Sequence, residues 1–261
     1  MIKLIATDID GTLVPDGGNT VNPEIYDVIL QLRKKGIQFA AASGRQWASI
    51  EALFEPIKEK IFYLSDNGAY LGCHGRNLFL NRIERPLIME MVEAVRKMPG
   101  LEVMVSGPDV VYVDTKDKEF VDWMVHGYKF RMKHVDDLLD VEDDFIKFSV
   151  YKKKGVQAAT EELREIYGDR LKMTISGDMW MDCMAPGVCK GQAIEILQES
   201  LEIRPEETMA FGDQLNDIEM LQKAYYSFAV GNARPEVKQT ARFRAYTNVN
   251  DGVLTILKEL L

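Results

Sequence analysis

The stretch Lys3-Leu-Ile-Ala-Thr-Asp8-Ile-Asp10-Gly-Thr12-Leu-Val14 decides the fold. Leu4, Ile5 and Ala6 form an apolar run of the right length for a buried strand, and two carboxylates and a Gly-Thr turn follow it. Side chains alternate along a strand, so Asp8 and Asp10 project the same way if the strand geometry reaches that far. Gly11 lets the chain turn sharply just afterwards. Two like charges so close are costly unless a proton or a cation lies between them, which makes the pair a candidate site for a hard metal such as Mg2+. Alone, an Asp-x-Asp reads equally well as a strand running into an acidic turn.

Downstream, apolar runs again end in polar turns. Pro15-Asp-Gly-Gly-Asn19 reads as a loop. Asn22-Pro23 starts a helix, with Asn22 as N-cap, Ile25, Val28, Ile29 and Leu32 on one face, and Gly36 at its end. Residues 37–42 predict a strand ending in Ser43-Gly44-Arg45, then a helix over 46–54. A third strand over 61–64 leads into Ser65-Asp66-Asn67-Gly68. The order β-α-β-α-β predicts an α/β fold whose parallel sheet is flanked by helices. Ligands of such sheets bind outside the C-terminal ends of the strands.

Over residues 82–185 the pattern changes. A helix over 86–98 precedes a hairpin of 101–105 and 110–113. A helix over 117–126, a strand over 145–151 and a helix over 157–167 follow. A second hairpin pairs 171–176 with 179–184 through Gly177-Asp178. This predicts an α+β module inserted into a core made of 1–81 and 186–261. The α/β pattern then returns: a helix over 190–201, a strand over 208–211 ending in Gly212-Asp213, a helix over 214–224 and a strand over 227–230. A helix over 235–240, a short strand at 245–246 and a C-terminal helix from Asp251 complete it.

The composition excludes several classes. A chain of 261 residues with 46% hydrophobic and 28% charged residues is ordinary for a globular protein. A net charge of −9 argues against a broad nucleic-acid surface, and an anionic ligand would need local positive groups. Cys73, Cys183 and Cys189 are too scattered for a disulfide framework or a zinc site, which predicts free thiols in a reducing, cytoplasmic setting. No leader-like segment and no membrane-length apolar run is present, so neither export nor a membrane partner is expected. His74, His126 and His134 lack metal-ligand spacing, and Trp47, Trp123 and Trp180 suit packing better than a cofactor box.

Four stretches converge on one sheet edge. Asp8 and Asp10 bring carboxylates. Ser43-Gly44 brings a hydroxyl and backbone N–H groups, read as a helix N-terminus that can cradle phosphate. Lys190 brings a cation at the start of a helix, and Gly212-Asp213-Gln-Leu-Asn216-Asp217 brings further carboxylates. Carboxylates beside oxyanion-binding groups suggest Mg2+ bridging a phosphate, the arrangement for phosphoryl transfer.

These residues resemble the haloacid dehalogenase (HAD) superfamily, specifically a Cof-type phosphatase with a type II class B cap. Asp8-Ile-Asp10-Gly-Thr12-Leu matches the first motif of that family, Ala42-Ser43-Gly44-Arg45 the second, Lys190-Gly191 the third and Gly212-Asp213-x-x-Asn216-Asp217 the fourth. Asp66-Asn67-Gly68-Ala69 and Val230-Gly231-Asn232-Ala233 match two lesser signatures, with Asp66 where relatives often carry Glu. The resemblance implies a Rossmann-like core with an inserted cap that acts as a specificity lid. It implies a Mg2+-dependent phosphatase for small phosphorylated metabolites, sugar phosphates first among them, acting as a monomer or homodimer. Asp8 would be the nucleophile and Asp10 the acid/base, with Asp10 also offering the metal its backbone carbonyl. Thr12 would order the turn. Ser43, Gly44, Asn67, Lys190 and Asn216 would hold phosphate or substrate, and Asp213 would complete the metal site. Asp217 would orient either Lys190 or a metal-bound water, and Arg45 would reach the phosphate or pair with a nearby acid. A phosphotransferase or phosphosugar mutase could use the same aspartate. A phospho-switch module would lack both the cap and the second aspartate.

Overall fold

The computed structural model describes residues 1–15, 18–176 and 178–261, without the side chain of Ser176. The readings of Asp16-Gly17 as loop and of Gly177 as part of a turn lie outside these residues. In chain order the elements are β1 (Leu4–Asp8), α1 (Glu24–Lys34), β2 (Gln38–Ala42), α2 (Trp47–Leu53), β3 (Phe62–Ser65), β4 (Tyr70–Cys73) and β5 (Arg76–Leu80). Then come α3 (Arg85–Val95), β6 (Glu102–Ser106), β7 (Val111–Val113), α4 (Lys118–Asp122), β8 (Met132–His134), β9 (Lys147–Tyr151), α5 (Gln157–Tyr167), β10 (Lys172–Ser176) and β11 (Trp180–Met184). The remainder is α6 (Lys190–Leu201), β12 (Thr208–Gly212), α7 (Ile218–Gln222), β13 (Tyr226–Ala229), α8 (Pro235–Thr240), β14 (Phe243–Arg244) and α9 (Gly252–Lys258).

The chain divides into two units, one of residues 1–79 with 189–261 and the other of residues 80–188. The first is built on a sheet of order β14-β13-β12-β1-β2-β3-β4-β5. β1 lies inside it, parallel to β12 on one side and to β2 on the other. All five residues of β1 are buried, because a parallel strand covered on both faces needs a continuous apolar run rather than alternation. The chain leaves β1 toward β2 and later returns to β12 on the opposite side. This switch point opens a crevice at the strand ends that carry Asp8, Ser43 and Asp213.

Several local expectations shift. The side chain of Asn22 accepts from the Glu24 N–H at 3.1 Å and its carbonyl accepts from the Ile25 N–H at 3.0 Å, so it caps α1 with Pro23 in the first turn. The helix expected over 214–224 is a 3-10 turn, Leu215–Asp217, followed by the short α7. The Asp217 carboxylate tightens that turn by accepting from the Asp213 and Gln214 N–H groups, each at 2.9 Å. The strand expected at 245–246 is β14 at Phe243–Arg244. The Ala245 N–H still reaches the Ala229 carbonyl at 3.1 Å, but Tyr246 turns out to solvent. Ser43-Gly44 does not stand at a helix N-terminus, since α2 begins at Trp47. The hairpin of β4 and β5 turns at His74-Gly75, both with positive φ (53° and 67°), as a tight hairpin turn requires.

The second unit carries an antiparallel-rich sheet of order β10-β11-β9-β6-β7-β8. Its expected hairpins are the β6–β7 and β10–β11 pairs. Asp117 caps α4 by accepting from the Phe120 N–H at 3.0 Å, and the helix runs on into a wider π turn over Trp123–Gly127. Phe120 and Met124 pack with Met104, Val111 and Val113 into a small core. All three cysteines are free, and no helix among the described residues is long and apolar enough to cross a membrane.

Candidate active site

Asp8 closes β1 and Lys190 opens α6, and the fold brings them together. Lys190 Nζ donates to Asp8 Oδ1 at 2.5 Å and to Asp217 Oδ1 at 2.7 Å. A solvated first-turn lysine would be the ordinary reading, yet Lys190 is only 1% exposed. Burial pulls its ammonium toward losing the proton, but the carboxylates of Asp217 and Asp8 outweigh this and hold it charged, above the ordinary lysine range.

Three carboxylates, Asp8, Asp213 and Asp217, each place an oxygen within 4.8 Å of the others. Thr12 Oγ1 donates to Asp213 Oδ1 at 2.7 Å, and Gln214 Nε2 donates to Asp213 Oδ2 at 3.1 Å. Asp8 Oδ2 is buried, and no N–H or O–H donor among the described residues reaches it. Burial, and after it the charge of Asp217, push the Asp8 carboxyl well above the usual carboxylate range, against the pull of Lys190. Burial likewise pushes Asp213 up to about 6, against the hydrogen bond from Thr12. Fully ionised, three carboxylates facing one lysine leave two negative charges uncompensated, which one divalent cation would cancel. All-oxygen donors and an unsatisfied buried Asp8 oxygen suit a hard cation such as Mg2+.

Gly11 has φ +81°, and a Cβ there would lie 2.3 Å from Asp213 Oδ2. Gly11→Ala should therefore destabilise the chain by about 2 kcal/mol through left-handed backbone strain and displacement of Asp213. A urea melt measures this, and a midpoint equal to wild type would contradict the close approach. Asn232 supports the same turn, its Nδ2 donating to the Gly11 carbonyl at 2.6 Å. The motifs do not point to Gln214 or Asn232: the first is an unspecified position inside the fourth motif, and the second lies in a lesser signature that carries no role of its own.

Asp10 lies beyond the end of β1 and takes a different direction. Arg45 Nε and Nη2 grip its two oxygens at 2.8 and 2.5 Å, and the same Nη2 donates to the Gly18 carbonyl at 2.7 Å. Of the two readings open for Arg45, the structure shows pairing with an acid. Asp10's side chain is thus not part of the three-carboxylate cluster. Ser43 Oγ accepts from the Arg45 N–H at 3.1 Å and stands 3.5 Å from Asp10 Oδ2. The turns after β2 and β3 are laced together, the Asp66 and Asn67 N–H groups donating to the Arg45 and Ser43 carbonyls at 3.0 Å. Asn216 Nδ2 donates to Asn67 Oδ1 at 2.9 Å, so these two candidate phosphate contacts bind each other. Gly44 lies beside them, a Cβ at that position falling 3.3 Å from Asn67 Oδ1.

Comparison with known proteins agrees with this geometry. The haloacid dehalogenase-like hydrolase profile matches residues 5–257. The 5-amino-6-(5-phospho-D-ribitylamino)uracil phosphatase YbjI of Escherichia coli (strain K12) is 30% identical over 261 residues, covering 100% of this chain and 96% of its own. The Bacillus subtilis (strain 168) phosphatase YcsE, named for the same compound, is 29% identical over 259 residues, covering 98% and 95%. A crystal structure from Eubacterium rectale superposes with a TM-score of 0.93 at 36% identity, covering 100% of this chain and 99% of that one. The chain belongs to the haloacid dehalogenase-like hydrolase family and is a phosphatase.

Proposed function

We propose that the chain hydrolyses small phosphorylated metabolites, sugar and polyol phosphates in particular, through an aspartyl-phosphate on Asp8 in a Mg2+-dependent reaction. The observation that carries this reading is Asp8 itself, one oxygen fixed by Lys190 and the other buried without a donor among the described residues. A buried carboxylate held in one orientation, with one oxygen suited to a cation, is placed to attack phosphorus. As the Asp8–phosphorus bond forms, the ester oxygen leaves and takes a proton from Asp10. Asp10 then removes a proton from water, which attacks phosphorus, releases inorganic phosphate and restores Asp8. Asp10 suits exchange with substrate because its side chain is 31% exposed where that of Asp8 is 7%. It must let go of Arg45 to act, and Ser43 Oγ stands 3.5 Å from Asp10 Oδ2, within reach to guide it.

Lys190 lowers the charge of the nucleophile's surroundings, and Ser43, Asn67 and Asn216 supply donors for phosphoryl oxygens. Asp8, Asp213 and the Asp10 backbone carbonyl would hold Mg2+, which supplies charge neutralisation for the transferring phosphoryl group. Both Asp217 oxygens are engaged by Lys190 and by backbone N–H groups, which favours Asp217 as the residue that orients Lys190. The polyol preference follows the relatives, whose named compound carries a phosphorylated ribityl chain.

Purified protein with Mg2+ should release inorganic phosphate from members of a phosphorylated-metabolite panel, and release from none would refute the reading. Excess chelator should lower turnover to roughly a hundredth or less, with Mg2+ restoring it. Activity indifferent to chelator would remove the metal from the mechanism.

A further inference from the structure

Two asparagines outside the carboxylate cluster hold the turn that carries Asp10. The turn is closed from within: the Gly11 N–H donates to the Val14 carbonyl at 2.8 Å and the Val14 N–H to the Ile9 carbonyl at 2.9 Å. It is gripped again from outside. Asn232, in the loop after β13, donates through Nδ2 to the Gly11 carbonyl at 2.6 Å. Asn248, in the segment after β14, donates through Nδ2 to the Val14 carbonyl at 3.3 Å. The two are joined, since the Asn248 N–H donates to Asn232 Oδ1 at 3.0 Å. Asn248 Oδ1 in turn accepts from the Val249 N–H at 2.9 Å. Each amide therefore sets its nitrogen against a carbonyl and its oxygen against an N–H. Turning either amide over would place like against like at both ends.

These bonds contribute only modestly to stability, because Asn232 is exposed and Asn248 half-buried, and water can replace either donor. What they fix is direction. The Gly11 N–H belongs to the same planar peptide as the Asp10 carbonyl, and the Gly11 carbonyl lies in the next peptide along. The Val14 carbonyl, held by Asn248, orients the first plane, and Asn232 orients the second. Both peptide planes that follow Asp10 are thus set from the segments after β13 and β14. The Asp10 side chain, in contrast, has to move. Arg45 Nε and Nη2 hold its oxygens at 2.8 and 2.5 Å, and it must leave them to reach an ester oxygen. A side chain that swings about its Cα arrives at a fixed point only if the backbone beneath it stays in place. A misplacement of about 1 Å can cost roughly a hundredfold in rate.

We propose that Asn232 and Asn248 act together as positioning residues for Asp10, fixing the Gly11–Val14 turn so that the released carboxyl meets the ester oxygen. The proposal rests on the phosphatase reading, in which Asp10 hands that oxygen a proton as the Asp8–phosphorus bond forms and the ester bond breaks. The leaving group separates this role from a merely structural one. An alkoxide needs the proton to depart, whereas p-nitrophenolate departs without it. The double substitution Asn232→Ala with Asn248→Ala should lower kcat/KM for ribitol 5-phosphate roughly tenfold to a hundredfold, and that for p-nitrophenyl phosphate less than about threefold. Asn248→Asp keeps the bond from the Val249 N–H, loses the donor to Val14, and should shift the ratio of the two esters the same way by a smaller factor. Asp10→Asn should shift it furthest. A ratio unmoved by the double substitution in folded protein overturns the proposal. So does an equal loss on both esters, which is what a general loosening of the site would give. If a thermal melt shows the double variant unfolded, Asn248→Asp decides by the same ratio. If wild type hydrolyses neither ester, the phosphatase reading fails; if Asp10→Asn leaves the ratio unmoved, the acid role of Asp10 fails. In both cases the proposal falls with it.

Discussion

Asp8→Asn should abolish phosphomonoester turnover, by roughly 10^4-fold or more, while the chain stays folded. Asparagine keeps the shape of the side chain and can still accept from Lys190 through its carbonyl oxygen. What it loses is the negative oxygen that the proposed reaction needs to attack phosphorus. The stability argument points the opposite way from the activity argument. Asp8 is buried against Asp217 and Asp213, and its carboxyl is pushed well above its ordinary range by burial and then by Asp217. Removing one charge from a cluster of three carboxylates and one lysine relieves that repulsion, so Tm should hold or rise. Phosphate release and a thermal melt on the same preparation check both halves. Turnover within tenfold of wild type would move the nucleophile elsewhere. Lost turnover accompanied by an unfolded chain would leave the role of Asp8 to be decided by a smaller change.

The sequence exposes those parts of this arrangement that local chemistry controls. Leu4, Ile5 and Ala6 could be read as a buried strand because a parallel strand covered on both faces must be apolar throughout. The start and end of α6 and α8 match their readings because Lys190–Leu201 shows a clear apolar face and Pro235 marks a first turn. Other features needed tertiary information. Ser43-Gly44 reads as a helix N-terminus, but the Ser43 hydroxyl and the lacing to Asp66 and Asn67 hold Gly44-Arg45 in a bend, and the helix begins only after Gln46. The helix over 214–224 broke because the Asp217 side chain captures two backbone N–H groups just upstream, which no periodicity signals. The sequence leaves Arg45 open between phosphate and acid because only the folded turn brings Asp10 to its fork.

Lys190→Met should both silence the enzyme and destabilise it, and a second substitution should separate the two effects. Methionine matches the length of lysine but carries no charge, so Asp8 Oδ1 and Asp217 Oδ1 lose the donor that now reaches them at 2.5 and 2.7 Å. Both acids are buried, and an orphaned buried charge is far more costly than a missing surface ion pair. The expected loss is about 3–5 kcal/mol, read as a lower urea midpoint. Adding Asp217→Asn removes one of the orphaned charges. The neutral side chain can still accept a backbone N–H bond at the 3-10 turn, so the double variant should regain much of the lost stability. Turnover should not return with it, because the phosphoryl group would still meet a nucleophile without its neutralising cation. A double-mutant cycle in urea gives the coupling between the two positions, and additive effects would show that Lys190 and Asp217 do not act as a pair. Recovery of activity together with stability would reduce Lys190 to a structural lysine. Stability regained without activity is the outcome that ties its burial to the chemistry at Asp8.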